Sequence, residues 1–101
     1  MARGDRWAKN RQQYSDRVWL AIAQFWVEQR GVPPTFRQLA DRTYMSRSSV
    51  TRWVDLLEAH GKLHRLSGCA RNIRLDKWPI HLIEPPDWWR GEIEDLAIPK
   101  G

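Results

Sequence analysis

Arginine carries the most evident chemistry in this 101-residue chain, at 13 residues against 4 lysines. Its planar fork matches phosphate oxygens and the guanine edge. A high-GC genome would favour arginine as well, so placement matters more than number. Arg47, Ser48, Thr51, Arg52 and Asp55 recur at helical spacing, and Val50, Trp53, Val54 and Leu57 fall between them. One helix would then have a polar, forked face and an apolar one. Ser46 is placed to cap it and Gly61 to end it. A helix of this kind fits the major groove of B-DNA. Arg47 and Arg52 would donate paired bonds to guanine. Ser48 and Thr51 would bond either base type or pack on a thymine methyl. Every surface helix has a polar face, so the reading depends on the elements around it.

Those elements follow from apolar spacing and turn residues. A first helix is expected from about Ser15, with Ser15 or Asp16 as its N-cap. Val18, Trp19, Ile22, Ala23, Trp26 and Val27 form its buried stripe, and Gly31 ends it. Val32-Pro33-Pro34 is extended, because proline drives its predecessor out of the helical region. Thr35 and Gln38 have capping-box spacing and open a short second helix, with Phe36, Leu39 and Ala40 facing inward. It stops near Thr43-Tyr44, leaving a short turn before Ser46. Two strands, at 62–66 and 71–75, flank Ser67-Gly68-Cys69-Ala70, with Leu63, Leu66, Ile73 and Leu75 completing the core. The expected fold is mainly α with a small β-hairpin: a winged helix-turn-helix of three helices and a two-stranded wing, over 15–76. Arg65, Arg71 and Arg74 lie on the hairpin, where a small tip reaches phosphates or a minor groove.

The run Gly31-Val32-Pro33-Pro34-Thr35, then Leu39-Ala40, Ser46-x-x-Ser49-Val50, Leu57-Glu58-x-x-Gly61 and Ser67-Gly68-x-x-Arg71-x-Ile73-Arg74-Leu75 resembles the N-terminal DNA-binding domain of LexA repressors. The resemblance implies a winged helix whose third helix enters the major groove beside the wing. By position, base reading falls on Ser46, Arg47, Ser48, Thr51 and Arg52. Thr35 and Arg37, at the start of the second helix, would approach phosphates, where free N–H groups suit an anion. The chain departs from the family in three places. The turn is shorter, and Tyr44 stands where glycine is usual, which demands a left-handed conformation. The recognition-face residues differ, so no operator sequence carries over. The chain has no Ala-Gly dipeptide, so self-cleavage of the LexA kind is not expected.

Charge is uneven along the chain. Residues 1–75 hold 14 Lys+Arg against 6 Asp+Glu, and residues 76–101 hold 3 against 6. Residues 1–14 read as a basic N-terminal extension that either tracks phosphates or is solvated. Residues 77–101 read as an acidic tail rich in Trp and Pro. Trp78, Trp88 and Trp89 lie there, and Asp87 is placed to cap a short helix with a Trp89, Ile93, Leu96 stripe. The tail either folds back on the core or meets a second copy or a protein partner.

No apolar run approaches the ~20 residues of a membrane span. The charged N-terminus has no apolar run behind it, so no signal peptide is expected. A cytoplasmic, nucleoid-associated protein of bacterial or phage origin fits these features. Cys69 is the only cysteine, and His60, His64, Cys69 and His81 match no tetrahedral metal spacing. No glycine-rich phosphate loop, paired-carboxylate pocket or Ser/His/Asp set stands in the sequence, so neither enzyme nor cofactor is expected. Two functions remain. One is a sequence-specific transcriptional regulator, a repressor by type, whose partner is double-stranded DNA. The other is a winged helix that binds protein, an inhibitor or adaptor of a host or transcription component acting through its tail.

Overall fold

The computed structural model describes residues 3–68 and 71–94. It is mainly α with a small β-hairpin. Three helices come first: α1 (Arg3–Glu28), α2 (Phe36–Thr43) and α3 (Arg47–Ala59). The hairpin follows, with β1 (Leu63–Arg65) antiparallel to β2 (Ile73–Leu75). A further pair, β3 (Lys77–Pro79) and β4 (Glu92–Glu94), runs parallel.

Helix α1 starts about three turns earlier than its apolar stripe suggests. Ala8, Lys9, Arg11, Gln12 and Gln13 are strong helix formers, so nothing stops the helix before Arg3. Ser15 is therefore no N-cap. It is buried inside the helix, and its hydroxyl donates to the Gln12 carbonyl at 3.3 Å. The basic extension at 1–14 is, from Arg3 onward, the first half of α1. The helix ends in a Schellman turn: Gly31 N–H bonds the Trp26 carbonyl at 2.8 Å and Arg30 N–H that of Val27 at 3.3 Å. The left-handed position, φ 53°, falls on Arg30, and Gly31 follows at φ 91°.

Thr35 caps α2 through the expected capping box. Its hydroxyl accepts from Gln38 N–H, and the Gln38 side chain accepts from Thr35 N–H. Tyr44 ends α2 in the left-handed region, at φ 59° and ψ 36°. Ser46 then caps α3 by accepting from Ser49 N–H at 3.1 Å.

One core joins these elements. Val18, Trp19, Ile22, Ala23 and Trp26 of α1 meet Leu39 of α2 and Val50, Val54 and Leu57 of α3. Leu63, Ile73 and Leu75 close it from the hairpin, whose register pairs Leu63 with Leu75 and Arg65 with Ile73. Two apolar residues differ from expectation. Leu66 lies past the end of β1 and is 38% exposed, so it does not complete the core. Trp53 is only half-buried and stacks on Tyr14 at 5.9 Å.

Of the two courses open to the tail, its described part, 77–94, folds back on the core. Trp78 is fully buried in the same core, and its indole N–H donates to the Ile83 carbonyl at 2.8 Å. Trp89 packs on Trp78 with ring centroids 5.1 Å apart. The helix expected after Asp87 is absent: 87–88 form a turn and Glu92–Glu94 pairs with β3. Gly91 explains part of this. A Cβ there would lie 2.4 Å from the Trp89 ring, so only glycine lets that ring fold over the chain. Leu96, the last member of the expected stripe, and Cys69 lie outside the described residues.

Candidate nucleic-acid interface

Helix α3 has the two faces its sequence calls for. Val50 and Val54 are fully buried and Leu57 is 2% exposed, which fixes the helix against α1 and α2. Ser46, Arg47, Ser48 and Arg52 are exposed on its first two turns. Among the described residues neither Arg47 nor Arg52 makes an ion pair, and the same is true of exposed Arg37 on α2. These three guanidiniums keep their full donor sets facing water. Thr51 is half-buried and its hydroxyl donates to the Arg47 carbonyl at 2.9 Å, so it presents mainly its methyl.

The hairpin arginines are placed differently. Arg65 is clamped by α3. Its Nε and Nη2 donate to Glu58 Oε1 at 2.9 and 2.6 Å, and Nη2 also meets Asp55 Oδ1 at 2.6 Å. The Arg65 backbone N–H donates to the second Glu58 oxygen at 3.2 Å. Hydrogen bonding from Arg65 holds the Glu58 carboxyl below its ordinary pKa. Asp55, read from sequence as part of the outer face of α3, is thus half of a brace.

Arg71 reaches inward, away from a phosphate role. Its Nη1 donates to the Pro33 carbonyl and to Gln38 Oε1, both at 2.8 Å. Gln38 is already the capping-box partner of Thr35, so one amide oxygen ties the hairpin to the start of α2. The Thr35 hydroxyl is likewise engaged, accepting from Gln38 N–H at 3.1 Å. Arg74 folds back too: its Nη1 donates to the carbonyls of Arg71 and Ile73 at 2.9 and 3.2 Å.

The ten candidate residues therefore separate. Arg37, Arg47, Ser48 and Arg52 form an open surface around α3 and the start of α2, with Thr51 and the exposed cap Ser46, whose hydroxyl is engaged by Ser49, beside them. Thr35, Arg65, Arg71 and Arg74 hold the elements in place. Glu58 was missed as part of this frame, and Gln38 was read as the capping-box partner of Thr35 without its tie to Arg71. Glu58 stands seven residues before Arg65, a spacing that becomes readable only once the hairpin's return against α3 is known.

A second clamp joins α1 to α2, where Arg42 donates to both oxygens of Glu28 at 3.0 and 2.6 Å. Among the described residues, no three His, Cys, Asp or Glu side chains converge as metal ligands. No described helix is long and apolar enough to cross a membrane. The chain matches no protein-family model and no curated protein.

Proposed function

We propose that the protein is a sequence-specific, double-stranded DNA-binding regulator, a repressor by type, that reads the major groove with α3. The observation that carries this reading is the contrast among the arginines. The fold neutralises or engages Arg42, Arg65, Arg71 and Arg74 internally. Among the described residues it leaves Arg47 and Arg52 without an ion pair on the exposed turns of a helix whose other face is locked in the core. A solvated helix gains nothing from that arrangement, whereas a groove-reading helix needs both the rigid backing and the free forks. Arg37 and the start of α2 would sit on phosphate. The resemblance to the LexA-type winged helix points the same way.

The alternative, a protein-binding module working through the tail, loses most of its aromatic surface. Trp78 is buried and Trp89 is packed on it, which leaves Trp88, 41% exposed, as the open tryptophan of that segment.

Fluorescence anisotropy on duplexes, with the full chain, tests the reading. Arg52→Ala is expected to weaken a preferred duplex by about 1–3 kcal/mol and to lose discrimination at one base pair. Arg37→Ala is expected to weaken all duplexes alike and to flatten the salt slope. Unchanged affinity in both variants at moderate salt would refute it.

A further inference from the structure

Among the described residues, Tyr44 is the large apolar side chain that stands almost wholly in water, at 95% exposed against 46% for the next, Ile93. Its backbone is left-handed, at φ 59° and ψ 36°, a conformation that glycine adopts without strain. The chain on either side is fixed. Thr43 is buried, and its hydroxyl donates to the Leu39 carbonyl at 2.7 Å. The Tyr44 and Met45 N–H groups both donate to the Ala40 carbonyl, and Met45 packs against the core. The fold thus holds a phenol out from a rigid turn, just ahead of the Ser46 cap of α3. We propose that Tyr44 is a DNA-contact residue whose hydroxyl donates to a backbone phosphate oxygen at the rim of the major groove.

The inference rests on groove reading by α3. Within that reading, the surroundings of Tyr44 favour a nucleic acid over a protein partner. The fold itself makes no use of the side chain: among the described residues the ring stacks on no other, and the hydroxyl has no hydrogen-bond partner. Strained residues cluster where a side chain acts on a ligand. Charge indicates which ligand. Residues 37–52 hold four arginines against one acid, Asp41. Arg42 is tied to Glu28, while Arg37, Arg47 and Arg52 make no ion pair among the described residues. A phenol set among such cations and the exposed Ser46 and Ser48 suits a polyanion. No other large apolar side chain between Phe36 and Ala59 is exposed. A protein contact draws on clustered apolar anchors, whereas a phosphate contact needs a single donor.

Position selects the phosphate over a base. A groove-reading helix presents its base contacts on its first turns, so a residue ahead of the cap stands at the groove rim, where the sugar-phosphate backbone runs. Tyrosine suits that place. Its hydroxyl donates, its ring covers deoxyribose, and only two side-chain torsions are ordered on binding. Being uncharged, it adds affinity without displacing a counterion. Its contribution is therefore separable from that of Arg37, which displaces one.

Fluorescence anisotropy with the full chain tests this, on a duplex selected from a random pool and on an unrelated one, each at several salt concentrations. Tyr44→Phe removes only the hydroxyl. It is expected to weaken both duplexes about five- to tenfold and to leave the salt slope unchanged. Tyr44→Gly is expected to bind at least as weakly while its unfolding midpoint rises, a combination that a structural role would not produce. Arg52→Ala, run alongside, separates this inference from the reading beneath it. If Arg52→Ala loses discrimination while both Tyr44 variants bind as wild type does, Tyr44 is no DNA contact and groove reading stands; a tyrosine serving a protein surface would give that result. A Tyr44→Phe loss confined to one base pair would put a base edge in place of the phosphate and overturn the assignment. Wild type without preference between duplexes, unaltered by Arg52→Ala, would remove both.

Discussion

Arg47 and Arg52 differ from Arg65 and Arg71 in one physical respect: the first two keep their donors in water, and the second two spend them on the protein. The consequence is a separable set of phenotypes. Arg52→Ala is expected to leave the unfolding midpoint nearly unchanged while it damages DNA recognition. Arg71→Ala is expected to destabilise the fold by about 1–2 kcal/mol, because it strips the Pro33 carbonyl and Gln38 of a charge-assisted donor. Chemical denaturation of both variants checks this; equal stability losses would contradict the division. Tyr44 gives a second test. It is 95% exposed and left-handed, so its ring contributes no packing while its backbone is strained. Tyr44→Gly is expected to stabilise the chain by about 0.5–1 kcal/mol, the left-handed relief less the entropy of glycine. A stability loss would show that the exposed ring has a partner within the fold.

The elements repeat the same division of labour. Thr35, Ser46 and the α3 stripe were legible in the sequence because capping and helical spacing are local signals. The left-handed Tyr44 was legible only through the resemblance, as a tyrosine where such turns carry glycine. The early start of α1 was not, because a polar, propensity-driven turn leaves no apolar stripe to read. The roles of Arg65 and Arg71 were not either, since each depends on a partner brought close only by tertiary folding: Glu58 for the first, Pro33 and Gln38 for the second. The clamp between α3 and β1 predicts a pH dependence. Hydrogen bonding from Arg65 lowers the Glu58 pKa from 4.5, so the contribution is complete above 4.5 and is lost as pH falls through the lower folded value. Glu58 is 34% exposed, so solvent screening keeps the effect modest. Thermal unfolding from neutral to acid pH should show wild type losing more stability than Glu58→Gln. Parallel curves would mean that the clamp carries no stability.

At the scale of the whole molecule, residues 77–94 belong to the fold. Trp78 fills the core with Trp19, and β4 pairs with its strand in a register that sets Ile93 opposite Trp78. Sequence reading separated this segment because its prolines and acidic charge differ from the preceding basic body, although burial depends on neither. Trp78→Ala is expected to cost about 3–5 kcal/mol, a large share of the stability of a domain this size. Truncation after Asp76 should leave a chain without a dispersed NMR spectrum. A well-folded truncated chain would restore the separate tail. A lone module buries only ~600–1,000 Å² on DNA, so tight recognition calls for two copies and a two-fold site. The most direct measurement is selection of bound duplexes from a random pool by the full chain at two salt concentrations, with Arg47→Ala/Arg52→Ala alongside. A single motif that survives the higher salt and disappears in the double variant is the predicted result. Weak binding to every sequence, lost with salt and unaltered by the double variant, would contradict groove reading by α3.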